Sequence, residues 1–285
     1  AVPAHSLHRA IGLSRSTLDG ARVVGSIAGG TIFELLGLDW AYISITVLYL
    51  LATVAAMKVD SRTVVARVGK ESIRTGLAEG LRFIRKSELL PGLIFFSFLI
   101  EFSAFPIVNG LMTVIGDELY GLGGTGIGLL AAAASGGALF GALTIGNKRN
   151  IMRPARVMVI GSIIWHLLML PLALTPPLWL FATLLAVWGF SGGVTFVSMV
   201  VGLLREAPAA TRGRVMGIRS LGIYGLPFGL LLGGWIAEEA GTATMIGVLG
   251  GLGFLATLGA AIKWPALVRG VPRSELPSDT DTTTQ

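Results

Sequence analysis

Glu101 lies midway along the apolar run 89–115, where an acidic side chain costs roughly 2.5–3.5 kcal/mol on membrane-insertion scales. At helical spacing Phe98, Glu101, Phe105 and Asn109 share a face, and Pro106 can kink the helix beside them. A carboxyl so placed can titrate a proton or bind a cation inside a cavity. It can also stay neutral, or be hydrogen-bonded within the bundle for packing alone. No Lys or Arg is expected at its depth. Asp19 and Arg22 stand three residues apart; they can form an intrahelical pair that gates or couples a movement, or a snorkelling pair at the interface. On the run 178–203, Trp188, Ser191, Thr195 and Phe196 offer aromatic and hydroxyl groups to a substrate or to neighbouring helices.

Other chemistries find little support. The chain has no cysteine, which excludes disulfides and thiolate sites. His166 reads as structural, and His5 and His8 lack a carboxylate partner pattern, so no metal and no cofactor are expected. No HExxH and no Ser/His dyad at readable spacing argue for an intramembrane enzyme. Gly121–Gly126 formally matches G-x-G-x-x-G, but it follows an apolar helix rather than a strand, which argues against nucleotide binding.

The elements that must carry these residues are membrane helices. Of the 285 residues 53% are hydrophobic and 13% charged, against about 25% charged in a soluble domain. Eight spans are expected, near 16–37, 40–58, 89–115, 125–146, 155–175, 178–203, 214–237 and 243–264. Each approaches or exceeds the ~20 residues that cross a hydrocarbon core as helix. Every Lys and Arg falls before or early in the first span, in alternate loops or at the span ends that border them, and the intervening loops near Asp39, Asp117, Pro176 and Glu238 have none. The alternation places both termini in the cytoplasm, and the basic charge answers to the membrane rather than to nucleic acid. Between the second and third spans, Ile73, Leu77, Leu81 and Ile84 recur at helical spacing amid basic residues, as in an amphipathic helix at the membrane surface. The tail from Pro272 is polar and without apolar periodicity.

The first and last span pairs repeat. Pro3, Arg9, Gly12 and Gly20 match Pro208, Arg214, Gly217 and Gly225 at an offset of 205. Gly25, Gly29, Gly30, Ile32, Glu34 and Gly37 then match Gly229, Gly233, Gly234, Ile236, Glu238 and Gly241 at 204. Both copies begin at a basic loop, so the repeats run in the same direction, a known way of building transporters.

Gly25-Ser26-Ile27-Ala28-Gly29-Gly30 is similar to the glycine-rich fifth-helix motif of antiporters, with Ser26 where a proline is usual. The stretch from Arg212-Gly213-Arg214 to Pro227, Gly229, Gly233 and Gly234 looks like an eleventh helix, and Gly136-Gly137 to Gly141 like an eighth. With the repeat, these motifs make the chain resemble the major facilitator superfamily, and within it efflux members similar to drug:proton antiporters and siderophore exporters. The resemblance implies an all-α membrane protein whose eight helices correspond to helices 5–12 of a twelve-helix, two-lobed bundle, lacking the first four.

Residues 1–59 would then close an N-terminal lobe, 60–88 link the lobes, 89–265 form a complete six-helix lobe and 266–285 a cytoplasmic tail. The implied function is secondary active transport: proton-coupled efflux of a small molecule across the cytoplasmic membrane by alternating access. Glu101, Phe98, Phe105, Asn109, Trp188 and Thr195 would meet substrate or protons, and Asp19, Arg22, Gly25, Gly29 and Gly30 would gate or couple. The lipid bilayer is the remaining partner. The alternative is a membrane remnant or scaffold that does not transport.

Overall fold

In hydrocarbon no water can satisfy a backbone amide, and the helix satisfies all of its own. The computed structural model describes residues 7–58, 73–147, 153–208 and 211–269, and no strand occurs among them. Helix α1 covers Leu7–Leu36 and α2 Leu38–Met57, and the linker helix α3 covers Ile73–Lys86. The next span runs Leu90–Tyr120 and is broken: α4 (Leu90–Ser103), a π-helical turn at Ile107–Leu111, then α5 (Met112–Tyr120). There follow α6 (Gly124–Gly146), α7 (Pro154–Leu167) with its short continuation α8 (Met169–Ala173), and α9 (Leu178–Glu206). The last span pair is α10 (Arg212–Ser220), a 3₁₀ turn at Leu221–Tyr224, α11 (Gly225–Ala240) and α12 (Thr242–Lys263), closed by α13 (Ala266–Arg269).

Seven of the eight expected spans are helices long and apolar enough to cross a membrane. Helix α1 is long enough, but Asp19, Arg22 and its many Gly and Ser residues leave it less apolar than the other seven. Helix α2 buries none of its residues; its apolar surface is exposed all round, as expected of a helix facing lipid.

The repeat is visible in the backbone. Gly37, between α1 and α2, has φ 88°, and its counterpart Gly241, between α11 and α12, has φ 87°. Only glycine adopts this conformation without strain. The change of offset also has a structural counterpart. Four 3₁₀ residues rise about 8 Å through ~480°, close to the ~7.5 Å and ~500° of five α residues. The 3₁₀ turn Leu221–Tyr224 lies immediately before the place where the second copy is one residue shorter.

Small residues set the helix spacing. Along α6 and α9, a β-carbon at Gly137 would strike the carbonyl of Ala186, and one at Gly141 that of Phe190. Gly189 and Gly193 meet Ala134 and Ala138 in the same way from the other side. Helix α1 joins α6 through Gly30 against Gly124 and Gly128 against Ser26. Its far end is held by Glu34, whose carboxylate accepts from the Thr125 amide at 2.6 Å, in the first turn of α6, where unpaired amides favour an anion. This also gives the Gly121–Gly126 loop a structural role. Gly25 and Gly29 meet nothing within 4 Å.

Helix α3 buries Gly80 and Ile84 while Leu77 and Leu81 stay largely exposed. It packs on α10, with Gly80 against Ile218 and Glu79 paired to Arg214 at 2.6 Å. Part of its expected lipid-facing stripe is therefore used on protein. The tail from Pro272 and residues 60–72 lie outside the described residues.

Gly137→Val should destabilise the α6–α9 contact by about 1–3 kcal/mol through overpacking. Gly251→Val, where nothing lies within 4 Å, should leave the melting temperature of the detergent-solubilised protein near wild type. Thermal unfolding followed by fluorescence checks both.

Candidate functional site

Three polar groups are brought together where α4, α9, α1 and α10 converge. Glu101 lies in the last turn of α4, two residues before the helix ends at Ser103, with Pro106 and the π turn just beyond. Proline supplies no amide and its ring opposes the preceding turn, and a π turn takes up the mismatch. Among the described residues the Glu101 carboxylate makes no hydrogen bond and no ion pair within 4 Å. Its electrostatic partners are Arg219, then Arg15, then Arg22.

Two expectations are corrected here. Basic residues do reach the neighbourhood of Glu101. Arg15 and Arg219, expected near the basic ends of their helices, turn their guanidinium groups onto the ring of Phe196, at 4.2 and 4.9 Å from its centroid. Arg15 also lies 5.7 Å from the Phe105 centroid. Desolvated guanidinium–aromatic contacts are worth on the order of 2 kcal/mol each, and the long apolar stem of Arg lets its charge travel inward. The second correction concerns Asp19, which pairs with Arg15 one turn earlier rather than with Arg22. The Nε–Oδ2 distance is 2.8 Å, and the two side chains are 10% and 1% exposed. The i, i+4 spacing brings the groups onto one line of the helix, with Arg15 reaching toward a carboxylate that faces the bundle.

The remaining site candidates separate into different settings. Phe105 and Trp188 are buried beside the cluster: Phe105 meets Trp165 edge-on at 5.8 Å and Phe196 at 6.2 Å, and Trp188 meets Trp165 at 5.3 Å. Asn109 sits in the π turn, bonded to the Phe105 carbonyl at 2.9 Å, and lines a cavity of about 950 Å³ between α1, α6 and the broken span. Gly30 lines that cavity as well. Phe98 is 41% exposed and stacks on Phe102. Thr195 is fully buried away from the cluster, its hydroxyl on the Ser191 carbonyl at 2.7 Å and its flank against Gly161. Arg22 lines a second, much smaller cavity with Arg15, Asp19 and Phe105.

His166 is completely buried in a network of its own. Its Nδ1 faces the Ser162 carbonyl at 2.8 Å, its Nε2 the Ser103 hydroxyl at 2.7 Å, and Ser162 Oγ continues to Thr257 at 3.0 Å. These bonds tie α4, α7 and α12 together, and Gly253 leaves room for the ring. That is the structural role expected for it. Among the described residues no group of His, Asp and Glu could hold a metal ion.

Sequence reasoning missed Arg15, Arg219 and Trp165. Arg15 and Arg219 stand 204 residues apart, one short of the offset of 205 that relates this part of the repeat, so the register does not pair them. Trp165 had no signal, because one indole in an apolar helix looks like any other.

Asp19→Ala leaves a buried guanidinium without its carboxylate and should cost about 3–5 kcal/mol. The double change Arg15→Met, Asp19→Leu should recover most of that loss. Thermal unfolding of the two variants against wild type checks both.

The chain matches the family described as "Transmembrane secretion effector" over residues 1–278. It is 29% identical to the multidrug efflux pump Tap of Mycolicibacterium fortuitum over 174 residues, 60% of this chain and 42% of that protein. It is 26% identical to the enterobactin exporter EntS of Shigella boydii serotype 18 over 260 residues, 88% of this chain and 56% of that protein. The corresponding exporter of Escherichia coli O1:K1 is 27% identical over 183 residues, 64% of this chain and 39% of that protein. The chain thus spans about half the length of the relatives it matches. No solved structure matches. With its helices, its glycine-packed contacts and a family match over nearly all of its length, the chain belongs to the transmembrane secretion effector family of the major facilitator superfamily.

Proposed function

We propose that this chain serves a secondary active transporter that exports a small molecule across the cytoplasmic membrane in exchange for protons, by alternating access. Residues 89–265 act as one six-helix lobe, and α1 and α2 belong to the other, with α1 as an eighth span. Its charges are tolerable in a membrane because Arg15 and Asp19 neutralise each other. The basic ends of the helices face the cytoplasm, and residues 60–88 bridge the two lobes. The relatives named as a multidrug efflux pump and as enterobactin exporters support outward transport.

The observation that carries the reading is Glu101, a membrane-embedded carboxylate with no hydrogen bond among the described residues and guanidinium groups as its electrostatic neighbours. A carboxylate engaged only by longer-range charge can gain or lose a proton without breaking a hydrogen bond. Arg15 and Arg219 feel that change through their fields and hold their own positions through Phe196. Because Arg15 lies on α1 and Glu101 on α4, a change of charge at Glu101 alters the attraction between elements assigned to different lobes. That is the kind of differential interaction a coupled transition requires. The cavity lined by Asn109, Ser26, Thr113 and Asp117 is large enough for a drug-sized molecule. Gly30 packs where α1 meets α6 and suits a lobe contact that slides, whereas Gly25 and Gly29 are open on their outward face.

Glu101→Gln in the protein carrying this chain should reduce export driven by a pH gradient to background while folding and membrane insertion persist. Substrate efflux from cells and gradient-driven transport in everted vesicles test this. Export that keeps its full dependence on the gradient overturns it.

A further inference from the structure

The two copies of the repeat exchange their packed and open faces. In the second copy, Gly225 and Gly229 seat on the backbone of α4 at Phe98 and Phe102, and Gly233 meets Leu111 beyond the break. Their matches in the first copy, Gly20, Gly25 and Gly29, have nothing within 4 Å. In the first copy it is the other face that is filled. A β-carbon at Gly12 would strike Gly146, and one at Gly30 the carbonyl of Gly124, both on α6. Gly217 and Gly234, which match Gly12 and Gly30, have nothing within 4 Å. At all five positions one glycine is packed and its counterpart open.

The same exchange reaches the acidic end of the helix. Glu34 accepts the Thr125 amide in the first turn of α6 at 2.6 Å. Its match, Glu238, is exposed and makes no hydrogen bond or ion pair among the described residues. A carboxylate so placed suits the unpaired amides and the positive end of a helix dipole. Along the seam with α6, Ile27 lies by Gly128 and Thr31 by Thr125. Their matches, Leu231 and Trp235, are 72% and 61% exposed. Leu231, Gly234, Trp235 and Glu238 fall at spacings of three and four residues and so form one continuous line on α11.

We propose that this open face of the α10–α11 span docks a membrane helix of the protein carrying this chain, one that lies outside residues 1–285 and belongs with α1 and α2. It runs antiparallel to the span, as α6 does to α1. Its first turn is capped by Glu238 and sets small residues against Gly234, as Gly124 and Gly128 do on α1. Its last turn sets another against Gly217, as Gly146 does at Gly12. A second copy of this chain cannot supply it through α6, whose matching glycines already meet α1. The relatives extend beyond the part this chain matches, which is 42% of one and 56% of another. The proposal rests on the two-lobe reading given above and identifies the second seam between the lobes, closed like the first by one carboxylate on a helix N-terminus.

The test places the photo-crosslinker benzoylphenylalanine at single positions of the full-length protein in membranes and identifies by mass spectrometry what each captures. In place of Phe33, which touches Gly124, it should capture the first turn of α6. In place of Trp235 it should capture the first turn of a helix outside residues 1–285, within the same molecule. Capture from position 235 of lipid alone, of a segment within residues 1–285, or of a second molecule overturns the proposal. Thermal unfolding gives an independent reading: Gly234→Val should lower the melting temperature of the full-length protein by roughly 2–4 °C more than Gly251→Val does. Equal melting temperatures for the two variants overturn it as well. Both readouts are taken without transport, so their failure leaves proton coupling at Glu101 standing. Export that ignores a pH gradient, conversely, refutes coupling and leaves this contact intact.

Discussion

A polar group carried into hydrocarbon must find its partner inside the protein, and this requirement organises the whole bundle. Most hydroxyls in the spans turn back onto their own helix, as Thr195 does on Ser191 and Thr257 on Gly253. Those that cross between helices become fasteners: Ser191 Oγ on the Gly161 carbonyl at 2.8 Å, and the Ser103–His166–Ser162–Thr257 chain through three spans. Charges follow the same rule. Arg15 takes Asp19, and Arg219 takes the face of Phe196. Glu101 departs from the pattern, and a group left with field rather than with a bond is one whose ionisation can change.

Two helices related by the repeat, α1 and the α10–α11 span, each bring an arginine to Phe196, from neighbouring rather than equivalent positions of the repeat. The first copy spends its arginine on a carboxylate of its own helix. In the second copy Ile223 stands four residues after Arg219, so Arg219 has no such carboxylate one turn on and is left to Glu101 and Phe196. One copy thus holds a neutral pair on its own helix, and the other an arginine whose nearest acidic influence comes from another helix.

Much of the fold was legible because its causes are local. Long apolar runs without alternation, punctuated by loops that are either basic or acidic, set the positions of the helices to within a few residues, and Gly37 and Gly241 marked matching joints. The status of α1 was less legible, since a helix with Asp19, Arg22 and many small residues is apolar only in the places where it packs. The site was half legible. A carboxylate amid apolar residues is visible in any reading, and so is a proline five residues on. What the neighbours of Glu101 are depends on how far an arginine side chain reaches from a helix end and on which helices meet, and neither is encoded at the scale of a span. The pairing of Asp19 with Arg15 rather than Arg22 is a choice between i, i+4 and i, i+3 partners, and the burial of the helix face decides it. Thr195 read as a lining residue because a helix that contributes Trp188 to one side must point something to another, and periodicity alone does not say which side faces a cavity.

The close packing of α6 on α9 and on α1 has a consequence for movement. Contacts made backbone to backbone through glycine can slide with little rotamer rearrangement, whereas the His166 network and the edge-on aromatic rings hold α4, α7, α9 and α12 as a unit. On the proposed reading, motion falls between α1 and this unit, with the charge of Glu101 setting how strongly the two are drawn together. Infrared difference spectroscopy across a pH titration of the membrane-embedded protein tests that claim most directly. Beyond the bands of the exposed carboxyls, the wild type should show a pH-dependent carboxyl stretch that is missing from the Glu101→Gln difference spectrum. Wild-type and Glu101→Gln spectra that titrate identically would contradict this reading.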